Sequence, residues 1–355
     1  MPTLFTVDRW VEAAGNMGIA AVSLTGMAPG YEADLGRALY ERAAVLAPVL
    51  VPHLAAAAPE LVVCDVLAQG GAMAAELLGA PWVKLSPHPL YEPSRGLPPI
   101  GSGLAVGVGA AGRLRDVVLR AATARSIRQG EAQRARARRS IGLDARGPGP
   151  VARLIATLPA LEVPRPDWPD NAHVVGPLLW EPARHRLTPP PGDAPLVVIA
   201  PSTAATGAAD LAETALTALR GKGLRAVVST FGSVPEGLPD WARAGFGRQD
   251  EMLREASVVV CGGGHGLLAK ALLAGVPAVV VPGGGDQWEM ANRLARQGSG
   301  VIVRPSTSDS LRDAVEHVLG DPGFAAAAAV AGATARDVRD PVQVCRVALA
   351  DCAIT

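Results

Sequence analysis

The stretch VVVCGGGHGLLAKALLAGVPAVVVPGGGDQWEMAN, residues 258–292, frames the reading of the whole chain. An apolar, β-branched run stops at Gly262, Gly263 and Gly264. His265 and Gly266 follow and open a segment with helical spacing. A second apolar run, PAVVV (277–281), stops at Gly283, Gly284 and Gly285, and Asp286 and Gln287 open the next helical segment. Short β-branched runs bounded by turn residues read as strands buried on both faces of a parallel sheet. Two consecutive strand–glycine–helix units put both glycine turns at strand carboxyl ends, where open α/β sheets bind ligands.

A helix that starts there aims free N–H groups and a partial positive charge into the crevice, which suits phosphate. Glycine lets the backbone approach an anion closely and adopt positive φ. Asp286 and Gln287 add a carboxylate and an amide, a pair suited to vicinal hydroxyls. Diphosphate at one strand end and sugar hydroxyls at its neighbour describe a nucleotide-sugar site. A dinucleotide fingerprint fits less well. The acidic residue expected about 20 positions after its glycines is missing, and Pro282 and glycines stand there. No G-x-x-x-x-G-K-[ST] loop occurs.

Working outward, the same alternation fills both halves. TLFTV (3–7), AAVSL (20–24), ELVVCDV (60–66) and PWVKLS (81–86) read as strands, separated by helical segments; the segment 31–58 reads as helix broken near Pro48 and Pro52. LVVIA (196–200), RAVVST (225–230), ASVVVC (256–261), PAVVV and SGVIV (299–303) form a second set, and SDSLRDAVEHVLGD (308–321) is a capped helix. The fold class expected is α/β, with two Rossmann-like parallel-sheet domains facing across a cleft. The expected boundaries are 1–180, a proline-rich linker at 181–195, 196–340, and a C-terminal helix at 341–355 packing back on the first domain.

Lys+Arg and Asp+Glu balance at 33 each, which argues against a nucleic-acid binder. Cys64, Cys261, Cys345 and Cys352 lack metal-ligand spacing, and no metal site is expected. The start, MPTLFTVDRW, shows neither the basic nor the apolar region of a signal peptide, and no apolar run reaches the length of a membrane span. A cytoplasmic protein is expected. The Arg-dense segment 113–139 reads as a solvated face, the alternative being peripheral contact with an anionic membrane or an acidic acceptor.

GRQDEMLREASVVVCGGGHGLLAKALLAGVPAVVVPGGGDQWEMANRLARQGSG resembles the donor half of GT-B glycosyltransferases, and is most similar to the family 1 bacterial enzymes acting on macrolides, polyketides and related natural products. PELVVCDVLAQGGAMAAELLGAPWVKLS and NAHVVGPLLWEP resemble the same family's acceptor half. The resemblance implies UDP- or dTDP-sugar as donor substrate, no further cofactor, and a small hydrophobic acceptor. Gly263, Gly264, His265 and Gly266 match the family's diphosphate loop, with Gly262 and Leu267 replacing its usual His and Thr. Asp286 and Gln287 match the sugar motif, although Met290 stands where an Asn is usual and Asn292 lies just beyond. Gln249 matches the base-proximal Gln, and Ser202 and Thr203 the hydroxyl turn after the domain's first strand. Asp65 matches the carboxylate that orients the family's catalytic His.

The family opens with a strand and a Gly-His turn that carries the base, whereas this chain opens on what resembles the second strand. The expectation is an acceptor domain lacking its first strand and catalytic His, through a misplaced start or a genuine truncation. The chemistry implied is direct displacement at the anomeric carbon, with helix N-termini and hydroxyls stabilising the leaving diphosphate, so that no metal is required. Alternatively, the chain is an impaired relative that binds nucleotide-sugar or serves as auxiliary partner of an active enzyme; a homodimer is also compatible. Bland readings stand beside each site residue: Asp286 as helix N-cap, His265 as a cap at its helix start, and Asp65, Gln249 and Ser202 as turn or loop residues. Of the remaining histidines, His88 in SPHPL faces the expected cleft.

Overall fold

The computed structural model describes residues 2–24, 35–181, 183–201, 210–230, 234 and 237–354. In the first half the elements are β1 (Thr3–Thr6), α1 (Asp8–Gly15), β2 (Ala20–Ser23), α2 (Leu35–Ala57), β3 (Val62–Asp65), α3 (Gln69–Leu77), β4 (Trp82–Ser86), α4 (Gly109–Ser140), β5 (Ala152–Ile155) and β6 (Ala172–Val174). The second half runs β7 (Leu196–Ala200), α5 (Leu211–Leu219), β8 (Arg225–Ser229), β9 (Ala242–Gly245), α6 (Gln249–Glu255), β10 (Ala256–Cys261), α7 (His265–Leu273), β11 (Ala278–Val280), α8 (Gln287–Gln297), β12 (Gly300–Ile302), α9 (Ser308–Gly320), α10 (Pro322–Ala333) and α11 (Pro341–Ile354).

The second-half sheet has the order β9-β8-β7-β10-β11-β12, every pair parallel. The chain builds outward from β7 on one side, then returns to build outward from β10 on the other. The order therefore reverses between β7 and β10, the place where a doubly wound sheet opens a crevice at its carboxyl ends. Successive residues of β7 and β10 serve opposite faces. Val198 and Val259 pack with Leu268 of α7 and Met290 of α8, while Val197 and Val258 pack with Leu211 of α5 and Val315 of α9. Strands covered on both faces have to be apolar throughout, as these are.

The first half is divided. β1 and β2 form a parallel pair, and β3-β4-β5-β6 form a separate parallel sheet. The succession β2-β1 followed by β3-β4-β5-β6 repeats the second half's winding, and among the described residues no strand takes the place that β7 has there. Among the described residues, the outer edge of β1 and that of β3 pair with no strand. α2 bridges the two pieces: Phe5 of β1 and Val62 of β3 both pack on the cluster formed by Ala43, Ala47 and Leu50.

α2 is a single helix, not one broken at its prolines. Pro48 and Pro52 lie four apart on its exposed side, while Ala43, Ala47, Leu50 and Leu54 are buried. The helix runs through both prolines, and its buried face holds it together. The two halves are tied by α11, whose Val344 and Ala348 pack against Val83, Ala152 and Leu154 of the first half's sheet. No single helix among the described residues is long and apolar enough to cross a membrane.

Candidate active site

β10 and β11 are neighbours in register, Cys261 beside Val280, so the turns that leave them lie side by side. Gly263 shows how closely they meet. Its φ is +89°, and a Cβ there would lie 2.8 Å from Val280 Cγ1 and 3.2 Å from the Gln287 carbonyl oxygen. Both the backbone conformation and the space demand glycine. The 262–264 turn and the Asp286–Gln287 turn thus touch at the carboxyl end of the sheet, one strand from the reversal point.

α7 starts after Gly264, which has no side chain to cap it, and α8 starts after Asp286, whose side chain makes no cap hydrogen bond. Amides at both helix starts are left for a ligand or water. A Cβ on Gly264 or Gly266 would meet nothing within 4 Å, so the surface over the start of α7 is open. An anion can come onto those amides unobstructed.

His265 is placed otherwise than its position in the loop suggests. Its ring is buried, with Nε2 2.8 Å from Thr157 Oγ1 at the end of β5. Burial pushes its pKa down to about 4, His88 adds to the depression, and a hydrogen bond to the Pro87 carbonyl opposes it. A neutral ring donates to Pro87 and accepts the Thr157 hydroxyl proton at its other nitrogen. The side chain is committed to the first half of the chain; what it can offer an anion is its backbone amide.

Gln287 is also buried, its Oε1 accepting from Gly283 N at 2.9 Å, which stiffens the turn before α8. Asp286 is half-buried beside it. The Gln249 amide donates to Ser229 Oγ at 3.2 Å and accepts from Lys270 Nζ at 3.3 Å. Asp65 ends β3, and its Oδ1 accepts from Leu67 N at 2.8 Å; among the described residues no imidazole reaches it. Ser202 and Thr203 lie outside the described residues.

The opposite wall comes from the first half. The loop after β4 carries His88 and Tyr91, whose rings stack 4.6 Å apart. Arg293 of α8 sits over Tyr91 at 5.6 Å and donates to the Leu161 carbonyl. Gly103 N donates to Glu289 at 3.1 Å, and Gly103 O accepts from Arg296 at 2.8 Å, so the loop is seated on α8. The Tyr91 hydroxyl is buried with no hydrogen-bond partner among the described residues, and burial and the nearby Asp286 carboxylate raise its pKa.

Residues 228–347 match the C-terminal domain of the erythromycin biosynthesis protein CIII-like family. The 4'-demethylrebeccamycin synthase of Lentzea aerocolonigenes is 30% identical over 285 residues, spanning 75% of this chain and 67% of the relative. The chain belongs to the GT-B family 1 glycosyltransferases.

A rhamnosyltransferase of PGL/p-HBAD biosynthesis from Mycobacterium bovis (strain BCG / Pasteur 1173P2) is 32% identical over 204 residues, spanning 52% of this glycosyltransferase and 42% of the relative. Among solved structures, the kitacinnamycin glycosyltransferase superposes with a TM-score of 0.74 at 21% identity, covering 94% of this chain and 87% of that one. The glycosyltransferase VinC, solved with dTDP, superposes with a TM-score of 0.68 at 20% identity, covering 98% and 92%. At these identities the superpositions establish the fold.

Two site-building residues were not singled out from the sequence. Glu181, in the proline-rich connector, takes the amides of Gln249 and Asp250 at the start of α6 and pairs with Lys270 at 2.7 Å. Thr157 anchors His265. Both bonds link residues far apart in the chain, and no local pattern marks them.

Proposed function

We propose that this glycosyltransferase moves a hexose or deoxyhexose from a UDP- or dTDP-sugar to a hydroxyl of a small hydrophobic acceptor by direct displacement. The observation that carries the reading is the contact between Gly263 and Gln287. It joins an open helix start suited to diphosphate to a turn offering Asp286 for sugar hydroxyls. As the bond to the anomeric carbon breaks, charge develops on the diphosphate, and fixed amides of α7 meet it without reorganising. The loop on α8 forms the acceptor side of the crevice. The donors and acceptors named for the relatives are of the same chemical kind: a thymidine diphosphate complex is known for the spinosyn rhamnosyltransferase SpnG, and an aglycone complex for the same enzyme.

A ligand that binds only the folded state at 100 times its Kd stabilises it by about 2.7 kcal/mol. Millimolar dTDP or UDP is therefore expected to raise the thermal midpoint, and Asp286→Ala to cut the additional shift given by a nucleotide-sugar over the bare nucleotide. No shift with either nucleotide removes the donor site.

A second reading is a nucleotide-sugar-binding auxiliary protein of low activity; it is favoured by Asp65, aligned with the family's orienting carboxylate, which among the described residues meets no imidazole. Nucleotide binding without transfer to any acceptor is the outcome that would select it.

A further inference from the structure

We propose that the first half of α4, with the end of the loop that leads into it, is a docking surface for an anionic lipid bilayer. α4 runs for 32 residues, and of these only Asp116, Ala137 and Arg138 are buried. Its last turns are seated on α3, where Arg138 meets Glu76. Most residues from Gly109 to Ala122 are exposed.

What holds these first turns is polar. Asp116 accepts from Gly107 N at 2.7 Å, Arg115 donates to the Ala105 carbonyl at 2.6 Å, and Arg120 donates to the Leu97 carbonyl at 2.8 Å. The loop is thereby strapped along one side of the helix. The other side is apolar. Residues three and four apart share a face, which puts Ala110, Leu114, Val117, Val118 and Ala121 together. Leu114, Val117 and Val118 are 64%, 52% and 58% exposed, and Val108, just ahead of the helix, is 91% exposed. A surface helix ordinarily turns its apolar stripe to the core and its polar side to water. Here the arrangement is inverted. Single exposed aliphatics are common, but a contiguous set marks a contact.

Charge says what the contact is with. Beyond Ala121 the same face continues with Arg125 and Arg128, both exposed, and Arg113 flanks it. α4 contains nine arginines and two carboxylates, and one of those, Asp116, is buried against Arg115. Lys+Arg and Asp+Glu balance at 33 each over the whole chain, so the excess belongs to this helix. Aliphatics at the tip with arginines behind them match a bilayer of anionic lipids. The aliphatics enter the acyl boundary while the arginines stay with the phosphates. A second copy would bring arginines into an interface short of carboxylates, and an acidic protein would set its charges against the aliphatics.

The position has a use. Gly103 of the same loop is bonded to Glu289 and Arg296 of α8. The docked face is therefore continuous with one wall of the crevice, and an acceptor dissolved in lipid would reach that wall without crossing water. The surface does not depend on the donor-site reading, because lipid binding is measured without nucleotide.

The test is flotation of the full chain, with neither nucleotide nor acceptor, on vesicles of phosphatidylcholine alone and of phosphatidylcholine mixed equally with phosphatidylglycerol. Wild type is expected to float with the mixed vesicles and to stay behind with phosphatidylcholine alone. An arginine at an anionic surface changes partition about fivefold, so the joint replacement Arg113→Gln, Arg125→Gln, Arg128→Gln is expected to weaken binding about a hundredfold. All three side chains are exposed, and an unchanged thermal midpoint is the check that the variant is folded. Val108→Trp reads insertion: the added emission is expected to move to shorter wavelength on the mixed vesicles. No flotation of wild type, flotation that survives the triple replacement, or an unshifted emission overturns the proposal. So does a concentration-dependent dimer in place of flotation, seen by light scattering and abolished by Leu114→Glu, which would give the face to a second copy.

Discussion

Thr157 Oγ1 and His265 Nε2 lie 2.8 Å apart although 108 residues separate them in the chain. The first joins the end of a first-half strand to the start of a second-half helix. The helix whose amides are proposed to receive the donor is thereby indexed to the loop that carries His88. Thr157→Val keeps the shape but removes the donor, leaving a buried ring nitrogen unpaired at a cost of about 1–3 kcal/mol. Urea unfolding monitored by tryptophan fluorescence measures it, and a change within error would show that the contact carries no weight.

The same histidine sets a pH dependence. Its folded pKa, pushed down to about 4, lies below the ordinary value near 6.5, so between those values the unfolded chain takes up a proton that the folded chain refuses. Stability from this group is full above pH 6.5, falls as pH drops toward 4, and then levels, with a total of at most about 3 kcal/mol. His265→Gln is expected to flatten this limb of the stability–pH curve. An unchanged curve would mean that other groups cause it.

The two loop glycines predict opposite outcomes. Gly263→Ala forces a Cβ against Val280 and the Gln287 carbonyl at positive φ, and should cost about 1–3 kcal/mol and abolish the nucleotide-induced thermal shift. Gly266→Ala puts a Cβ into open space within α7 and should stabilise the ligand-free protein by about 0.5–1 kcal/mol. Because that space is where the diphosphate is proposed to sit, Gly266→Ala should also weaken nucleotide binding. Calorimetry of both variants with dTDP checks the pair.

Arg138 and Glu76 form an almost fully buried ion pair at 2.5 Å between α4 and α3, and Arg138 also donates to the Asp144 carbonyl. Breaking such a pair from one side typically costs about 3–5 kcal/mol. Arg138→Met is expected to fall in that range, and the double variant Arg138→Met, Glu76→Leu to recover much of it. Midpoints in urea separate the two.

Much of the second half was legible because its strands are apolar on both faces and end at glycines. α9 likewise begins where its sequence signals a cap, with Thr307 and Ser310 bonding reciprocally. Three strands escaped notice for physical reasons. β5 (ARLI) and β9 (ARAG) carry arginine, and β6 is three residues long; each is held by pairing to a more apolar neighbour. At the site, the positions of Gly263, Asp286 and Gln287 could be read locally. The direction of the His265 ring could not, since it answers to Thr157 and Pro87.

The divided first half has a mechanical consequence. Among the described residues, amides along the outer margins of β1 and β3 have no neighbouring strand for company, whereas those of β7 are latched on both sides. Deuterium should therefore enter the outward amides of Phe5 and Val63 through small local openings and reach Val198 only when the whole second half comes apart. On that expectation the half that carries the loop after β4 opens before the half that carries the two glycine turns.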